Sequence, residues 1–227
     1  MPENKVKVAI FDFCGTFVNF QTADEYIRFA SQSFLSDEQI QKSEKKRQFY
    51  LKARLIQFHD KFFASSLNKK LIVSRIKGMS LEDADKEADK FIEQKIKPAF
   101  IKETLGLLEE NKKNGVYTLF VSAAYDIYLK KVVEQLGLDD YICTKLSYKK
   151  NKMSGKFKKD CIGKRKVKYA VAYLNKKFGK GNYEIVFSIG DSKSDIPVLD
   201  IAKRKVVISK EKQPWVKEGY EEIIYGA

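Results

Sequence analysis

The chain has 227 residues, 44% apolar and 33% charged, enough for one well-buried domain with an insertion. It has no run of about 18 apolar residues, and Met1–Lys5 leads into a strand without a signal peptide's apolar core; no membrane partner and a cytoplasmic setting are expected. The net charge of +14 comes from 38 Lys and six Arg scattered along the chain, so no specific nucleic-acid partner is expected, although the field draws in anionic ligands.

Residues 6–11 read as a buried strand that ends in Asp12. Thr22-Ala23-Asp24-Glu25 and Ser36-Asp37-Glu38-Gln39 read as capping boxes, each opening a helix. Ser80-Leu81-Glu82-Asp83 starts a further amphipathic helix that runs to the Pro98 breaker. The stretch 20–97 is therefore expected to be an all-helical insertion. Beyond it the spacing predicts a helix over 99–113, a strand over 116–121 and a helix over 126–136 stopped by Gly137. A strand at 142–148, a turn at Asn151–Gly155 and a short return at 156–158 read as a surface hairpin. A helix at 164–178, a strand at 184–189 and a last short strand at 206–209 complete the pattern. This alternation predicts an α/β fold, a doubly wound parallel-sheet Rossmann-like core made of 1–19 plus 98–227, with 20–97 as a helical cap.

Four places carry chemistry. Asp12 stands at the carboxyl end of the first strand, where open α/β sheets place their ligands. Gly15 accepts backbone angles that strain other residues, and the Thr16 hydroxyl can position Asp12 or a bound anion. Ser122, followed by Ala123, closes the second apolar strand, where a hydroxyl near a helix N-terminus suits a phosphate oxygen. Asp191 and Asp195 follow the third apolar strand. With Asp12 they repel one another unless a divalent cation offsets them, and Mg²⁺ takes one or two carboxylates, waters and substrate phosphate. The basic run Lys164-Arg165-Lys166-Val167-Lys168 offers a lysine that can neutralise Asp12 and a phosphate. Cys14, Cys143 and Cys161 form no CxxC pair, so neither a disulfide framework nor a zinc site is indicated, and His59 as the single histidine excludes any two-histidine mechanism.

The order acid, hydroxyl, lysine, acid pair resembles the four motifs of the haloacid dehalogenase superfamily. Phe11-Asp12-Phe13-Cys14-Gly15-Thr16-Phe17-Val18-Asn19 is similar to the FDFD-(S/G)-TLVN stretch of its phosphoserine-phosphatase-like subgroup. Val121-Ser122-Ala123-Ala124 is similar to VSAS, and Cys161-Ile162-Gly163-Lys164-Arg165-Lys166-Val167 to CxGxxKV, which selects Lys166. The resemblance implies a Mg²⁺-dependent phosphatase acting on a small phosphorylated metabolite through an aspartyl-phosphate, with 20–97 as a C1-type cap. It implies Asp12 as nucleophile and Mg²⁺ held by Asp12, the Cys14 carbonyl, Asp191 and Asp195. Ser122, Ala123, Thr16 and Lys166 are then the phosphate contacts. Gln21 and Lys70 align with the subgroup's substrate-binding Glu and Arg. The chain departs from the pattern at Cys14, where phosphatases of the family carry a second Asp as acid and base. A thiol there could take over that work. It also opens two other readings, a catalytically silent phosphate-ligand-binding protein and a phosphonate hydrolase.

Overall fold

The computed structural model describes residues 5–52 and 68–226. Seven strands form one sheet: β1 (Val6–Phe11), β2 (Tyr117–Tyr125), β3 (Asp140–Lys149), β4 (Lys152–Lys159), β5 (Tyr183–Gly190), β6 (Arg204–Ser209) and β7 (Glu221–Ile224). Their order is β4-β3-β2-β1-β5-β6-β7, and every neighbouring pair is parallel except β3–β4. The pleat sends alternate side chains of β1 to opposite faces. Ala9 and Phe11 join one buried cluster with Phe120, while Val8 and Ile10 join another with Leu119 and Val121. Both faces are covered by helices, as an apolar parallel sheet requires. One face packs on α7 (Lys164–Phe178) and α8 (Ile196–Leu199) through Ala170, Leu174 and Val198. The other packs on α5 (Lys102–Lys113) and α6 (Asp126–Leu136), through Leu108, Tyr128 and Leu129.

Between β1 and β2 the described residues form α1 (Thr22–Gln32), α2 (Asp37–Lys52), α3 (68–73) and α4 (Leu81–Phe91), followed by a π turn at Ile92–Ile96 and a 3₁₀ turn at Lys97–Ala99. These helices share the second face's core, through Tyr26, Ile27, Ile72, Ile76 and Phe91. Both ends of the segment lie side by side. Ile101 donates its backbone N–H to Phe17 at 3.0 Å, and Asn19 donates to Ala99 at 3.1 Å.

Several local expectations need correction. The hairpin turn falls at Lys150 and Asn151, whose φ values are +49° and +56°, and Gly155 lies inside β4. That hairpin is not a free surface feature: Met153 donates its backbone N–H to Met79 and accepts from Gly78, Leu81 donates to Asn151, each at 2.8 Å, and the Met79 and Met153 side chains are buried. β6 is not the last strand, since β7 pairs with it from Val206↔Glu221 to Ser209↔Ile224. The α1 N-cap is Gln21 with no side-chain bond, so Thr22 opens no capping box. Ser36 and Gln39 do exchange side-chain to backbone bonds, at 3.0 and 3.3 Å.

Candidate active site

The register places Phe11 between Phe120 of β2 and Ile189 of β5. The residues that follow those three positions therefore meet at one edge of the sheet. Asp12 is fixed there by its N–H, which donates to Ile189 at 3.0 Å. The chain then turns sharply, and the Phe13 carbonyl accepts from Phe17 at 2.8 Å and Val18 at 3.2 Å. Phe13 and Phe17 anchor the turn in the core against Phe120, and Thr104 of α5 donates its hydroxyl to the Thr16 carbonyl at 2.8 Å. Gly15 sits at φ +79°, and a Cβ there would lie 2.3 Å from Asp191 Oδ2. Only glycine leaves room for that carboxylate.

Lys166 settles which lysine enters the site. It lies on the first turn of α7 and is 4% exposed, whereas Lys164 and Lys168 are exposed. Its ammonium is 2.8 Å from Asp12 Oδ1 and 2.6 Å from Asp195 Oδ1. The Asp12 contact is an ion pair only, because Asp12 Oδ1 is buried without a hydrogen-bond partner. The second oxygen of Asp195 accepts from the Ser192 hydroxyl at 2.7 Å and the Ser192 N–H at 3.2 Å. Thr16 donates to Asp191 Oδ1 at 3.2 Å, so its hydroxyl orients Asp191 rather than Asp12.

Asp12, Asp191 and Asp195 each present an oxygen within 4.8 Å of the others. Three carboxylates face one ammonium, and the excess negative charge has a physical signature. Burial, and then the Asp195 charge against the pull of Lys166, raises the Asp12 carboxyl to about 6. Burial together with Asp12 and Asp195 raises Asp191 to about 7. Burial alone would lower the Lys166 ammonium, but Asp12 and Asp195 outweigh it and hold the lysine charged. An all-oxygen cluster of three carboxylates held against a single ammonium fits a hard divalent cation such as Mg²⁺.

Cys14 is 4% exposed and joined to its neighbours. Its sulfur lies 2.9 Å from the Thr22 hydroxyl, which is 2.7 Å from the Tyr128 hydroxyl. Ser122 donates to the same sulfur at 3.7 Å. Burial and the adjacent Asp12 charge push the thiol above its ordinary value, so it keeps its proton at neutral pH. Ser122 does not close its strand, since β2 continues to Tyr125 and bulges against β3 between Val121 and Tyr125. Ala123 stands beside it and offers its carbonyl to Lys69 at 3.4 Å.

Gln21 and Lys70 are exposed, and no contact joins either to this cluster. Sequence reasoning missed the buried partners instead. Lys69, adjacent to Lys70, reaches Asp160 at 2.6 Å and Thr144 at 3.2 Å. Asp160 immediately precedes the Cys161 motif, a signal that a buried acid next to that loop could have given. Thr22 and Tyr128 carried no signal apart from the helices they open and line.

The pattern of the haloacid dehalogenase-like hydrolase family matches residues 9–200. Fold and site together define a Rossmann-like hydrolase with its carboxylate cluster at the carboxyl edge of parallel strands. The chain belongs to the haloacid dehalogenase-like hydrolase family. It is 28% identical to a phosphoserine phosphatase of Methanocaldococcus jannaschii over 216 residues, covering 95% of this chain and 90% of that protein. A Bordetella pertussis Tohama I protein of unknown function has the same fold, with a TM-score of 0.79 at 16% identity over 97% of this chain and 99% of that one. A phospho-aspartyl intermediate analogue of phosphoserine phosphatase superimposes with a TM-score of 0.60 at 24% identity, covering 97% and 94%. Among the described residues no helix is long and apolar enough to cross a membrane.

Proposed function

We propose that the protein is a Mg²⁺-dependent phosphatase of small phosphomonoesters that works through an aspartyl-phosphate on Asp12. One observation carries the reading: at the carboxyl end of β1 the Asp12 carboxylate lies 2.8 Å from the Lys166 ammonium, with Asp191 and Asp195 grouped around it. In this reading residues 1–19 and 98–227 form the catalytic core and 20–97 the cap.

Asp12 attacks phosphorus, the P–O bond to the alcohol breaks, and the alcohol oxygen takes up a proton. Water then attacks the aspartyl-phosphate and releases inorganic phosphate and the free carboxylate. The Ser122 hydroxyl, the Ala123 N–H and the Lys166 ammonium hold the non-bridging oxygens, and Thr16 keeps Asp191 in place. Positioning and charge neutralisation supply most of the acceleration in such transfers. Mg²⁺ would be held by Asp12, the Cys14 carbonyl and Asp191, with Asp195 orienting its shell, and would supply charge neutralisation of the phosphoryl oxygens.

Cys14 stands where a carboxylic acid would serve the leaving oxygen and then the water. A thiol that holds its proton this tightly is a weak acid for the departing oxygen, so alcohols of high pKa leave slowly. The same residue supports a second reading, a phosphate-ligand-binding protein with little turnover. Phosphate release from a panel of phosphorylated metabolites, with Mg²⁺ and with chelator, tests both. The expected result is Mg²⁺-dependent release that Asp12→Asn abolishes. Release that survives Asp12→Asn overturns the nucleophile, and ligand binding without release leaves the second reading standing.

A further inference from the structure

The lysines are scattered along the chain, but the charge they leave uncompensated is not. Residues 141–183 hold 14 basic residues and a single acid, Asp160, whereas the other 184 residues hold 30 basic and 29 acidic ones. Nearly the whole net charge of +14 therefore lies between the start of β3 and the start of β5. Seven of these lysines belong to the β3–β4 hairpin, and all seven are exposed. None of the seven makes an ion pair among the described residues, in contrast to Lys166 and Lys177. Residues 53–67 carry one acid, Asp60, against Arg54 and Lys61, too few to neutralise the hairpin.

Local electrostatics opposes this placement at two points. In the hairpin register Lys145 faces Lys159 and Lys149 faces Lys152, and like charges directly opposite each other destabilise a ladder. A lysine on an edge strand blocks unwanted pairing, which accounts for charge on β4 but not for its match on β3. α7 then opens on Lys164, Arg165 and Lys166 with no acid in its first turn, the wrong sign for the positive end of a helix. Lys166 is answered by Asp12 and Asp195 inside the site, while Lys164 stays exposed. The Lys159 ammonium, 5.7 Å from the Tyr169 ring centroid, joins the hairpin to α7. An anion spanning both elements would relieve the repulsion in each.

The hairpin also decides which polyanion fits. Its backbone is tied to the 78–81 segment, so the lysines stand on a fixed ladder. Ammoniums are point charges that suit phosphodiester oxygens without reading bases. Among them Tyr148 is 47% exposed and offers an aromatic face on which a base can stack. Insertion into a bilayer needs exposed apolar side chains, but Leu146 and Met153 of the same hairpin are buried. We infer that the β3–β4 hairpin and the start of α7 form a docking surface for single-stranded nucleic acid, gripped by its phosphates without regard to base sequence. This surface is separate from the phosphoryl site and does not depend on the phosphatase reading.

A labelled mixed-sequence oligodeoxynucleotide with hydroxyl ends, which offers Asp12 no phosphomonoester, tests this by fluorescence anisotropy across a salt series. Neutralising about five phosphates gives a slope of about −3.5 in log affinity against log salt. Lys149→Gln/Lys152→Gln/Lys156→Gln/Lys158→Gln is expected to bring that slope to about −1 and to weaken binding about tenfold or more. Lys5→Gln/Lys42→Gln/Lys102→Gln/Lys113→Gln removes the same charge from exposed positions elsewhere and is expected to stay near wild type. Tyr148→Ala is expected to weaken binding about tenfold and leave the slope unchanged. Equal losses in the two quadruple variants, no binding by the wild type at about 0.05 M salt, or unaltered affinity in Tyr148→Ala overturn the inference. So does tighter binding to vesicles of phosphatidylcholine and phosphatidylserine than to the oligonucleotide. Should the hairpin variant fail to fold, amine acetylation of the wild-type protein replaces it. The oligonucleotide must then protect lysines within 145–168, and even protection along the chain overturns the inference.

Discussion

The charge imbalance at the sheet edge makes a quantitative prediction about metal and pH. Asp12 rises from its ordinary 3.8 to about 6 in the metal-free fold. A carboxyl whose folded value exceeds its unfolded value binds its proton more tightly when folded, so metal-free stability falls as pH rises from about 4 through about 6. For Asp12 alone the loss is about 3 kcal/mol above that range. A divalent cation reverses the sign, because it needs both carboxylates ionised. With Asp12 at about 6 and Asp191 at about 7, lowering the pH from about 8 to about 5.5 weakens Mg²⁺ binding about 10²-fold. Mg²⁺ present at about 100 times its pH 8 dissociation constant adds about 2.7 kcal/mol, or about 5–11 °C in Tm for a chain of this size. At about pH 5.5 the same concentration adds about 1 °C. Thermal melts with and without Mg²⁺ at the two pH values measure this directly, with Asp191→Asn as the control that shrinks the shift. Equal shifts at both pH values, or a shift untouched by Asp191→Asn, would show that the cation does not bind between these carboxylates.

Replacing Cys14 separates acid–base chemistry from packing. Cys14→Asp is expected to raise kcat on an alkyl phosphomonoester by about 10²–10⁴-fold, while Cys14→Ala stays near wild type; a fall in Cys14→Asp refutes the reading of Cys14 as a substituted acid. Gly15→Ala places a Cβ 2.3 Å from Asp191 Oδ2 at φ +79°, and should cost about 2 kcal/mol or more and abolish the Mg²⁺ response in melts. An unchanged Tm with a normal Mg²⁺ shift contradicts that geometry. Lys166→Met leaves the three acids without their cation and should destabilise the metal-free protein by about 3–5 kcal/mol at pH 8. The loss should shrink at pH 5, where the acids take up protons, and a pH-independent loss argues that Lys166 acts through packing.

The parts of the fold visible in the sequence are those with strong apolar periodicity. β1, β2, β5 and β6 are largely buried apolar runs, and the acids after β1 and β5 and the hydroxyl near the end of β2 mark the edge where ligands bind. β7 escaped because Glu221-Glu222-Ile223-Ile224 is short, half polar and at the sheet margin. The hairpin turn was misplaced because Gly155, which does take a positive φ, lies inside β4, while Lys150 and Asn151 make the turn at positive φ without a glycine. Motif spacing singled out Lys166 among three lysines, and its burial agrees. No comparable spacing distinguished Lys69 from Lys70. Thr22 looked like a cap because Thr and Glu three apart favour one, but its hydroxyl is drawn to Cys14 and Tyr128 in the core. Local propensity yielded to a buried polar network.

The pairing of β1 with β5 also dictates when the site can exist during synthesis. Thr16 and Asp191 are separated by 175 residues, and β1 gains its β5 neighbour only when residues 183–190 have left the ribosome. At about 5–20 residues per second the first strand waits roughly 10–35 s with one apolar edge unpaired. During that interval Asp12 has neither Lys166 nor Asp191 beside it, so the carboxylate cluster does not yet exist. Emergence of residues 183–195, and not folding of the amino-terminal part, is the event that assembles the cluster, and the β1 edge stays unpaired until then.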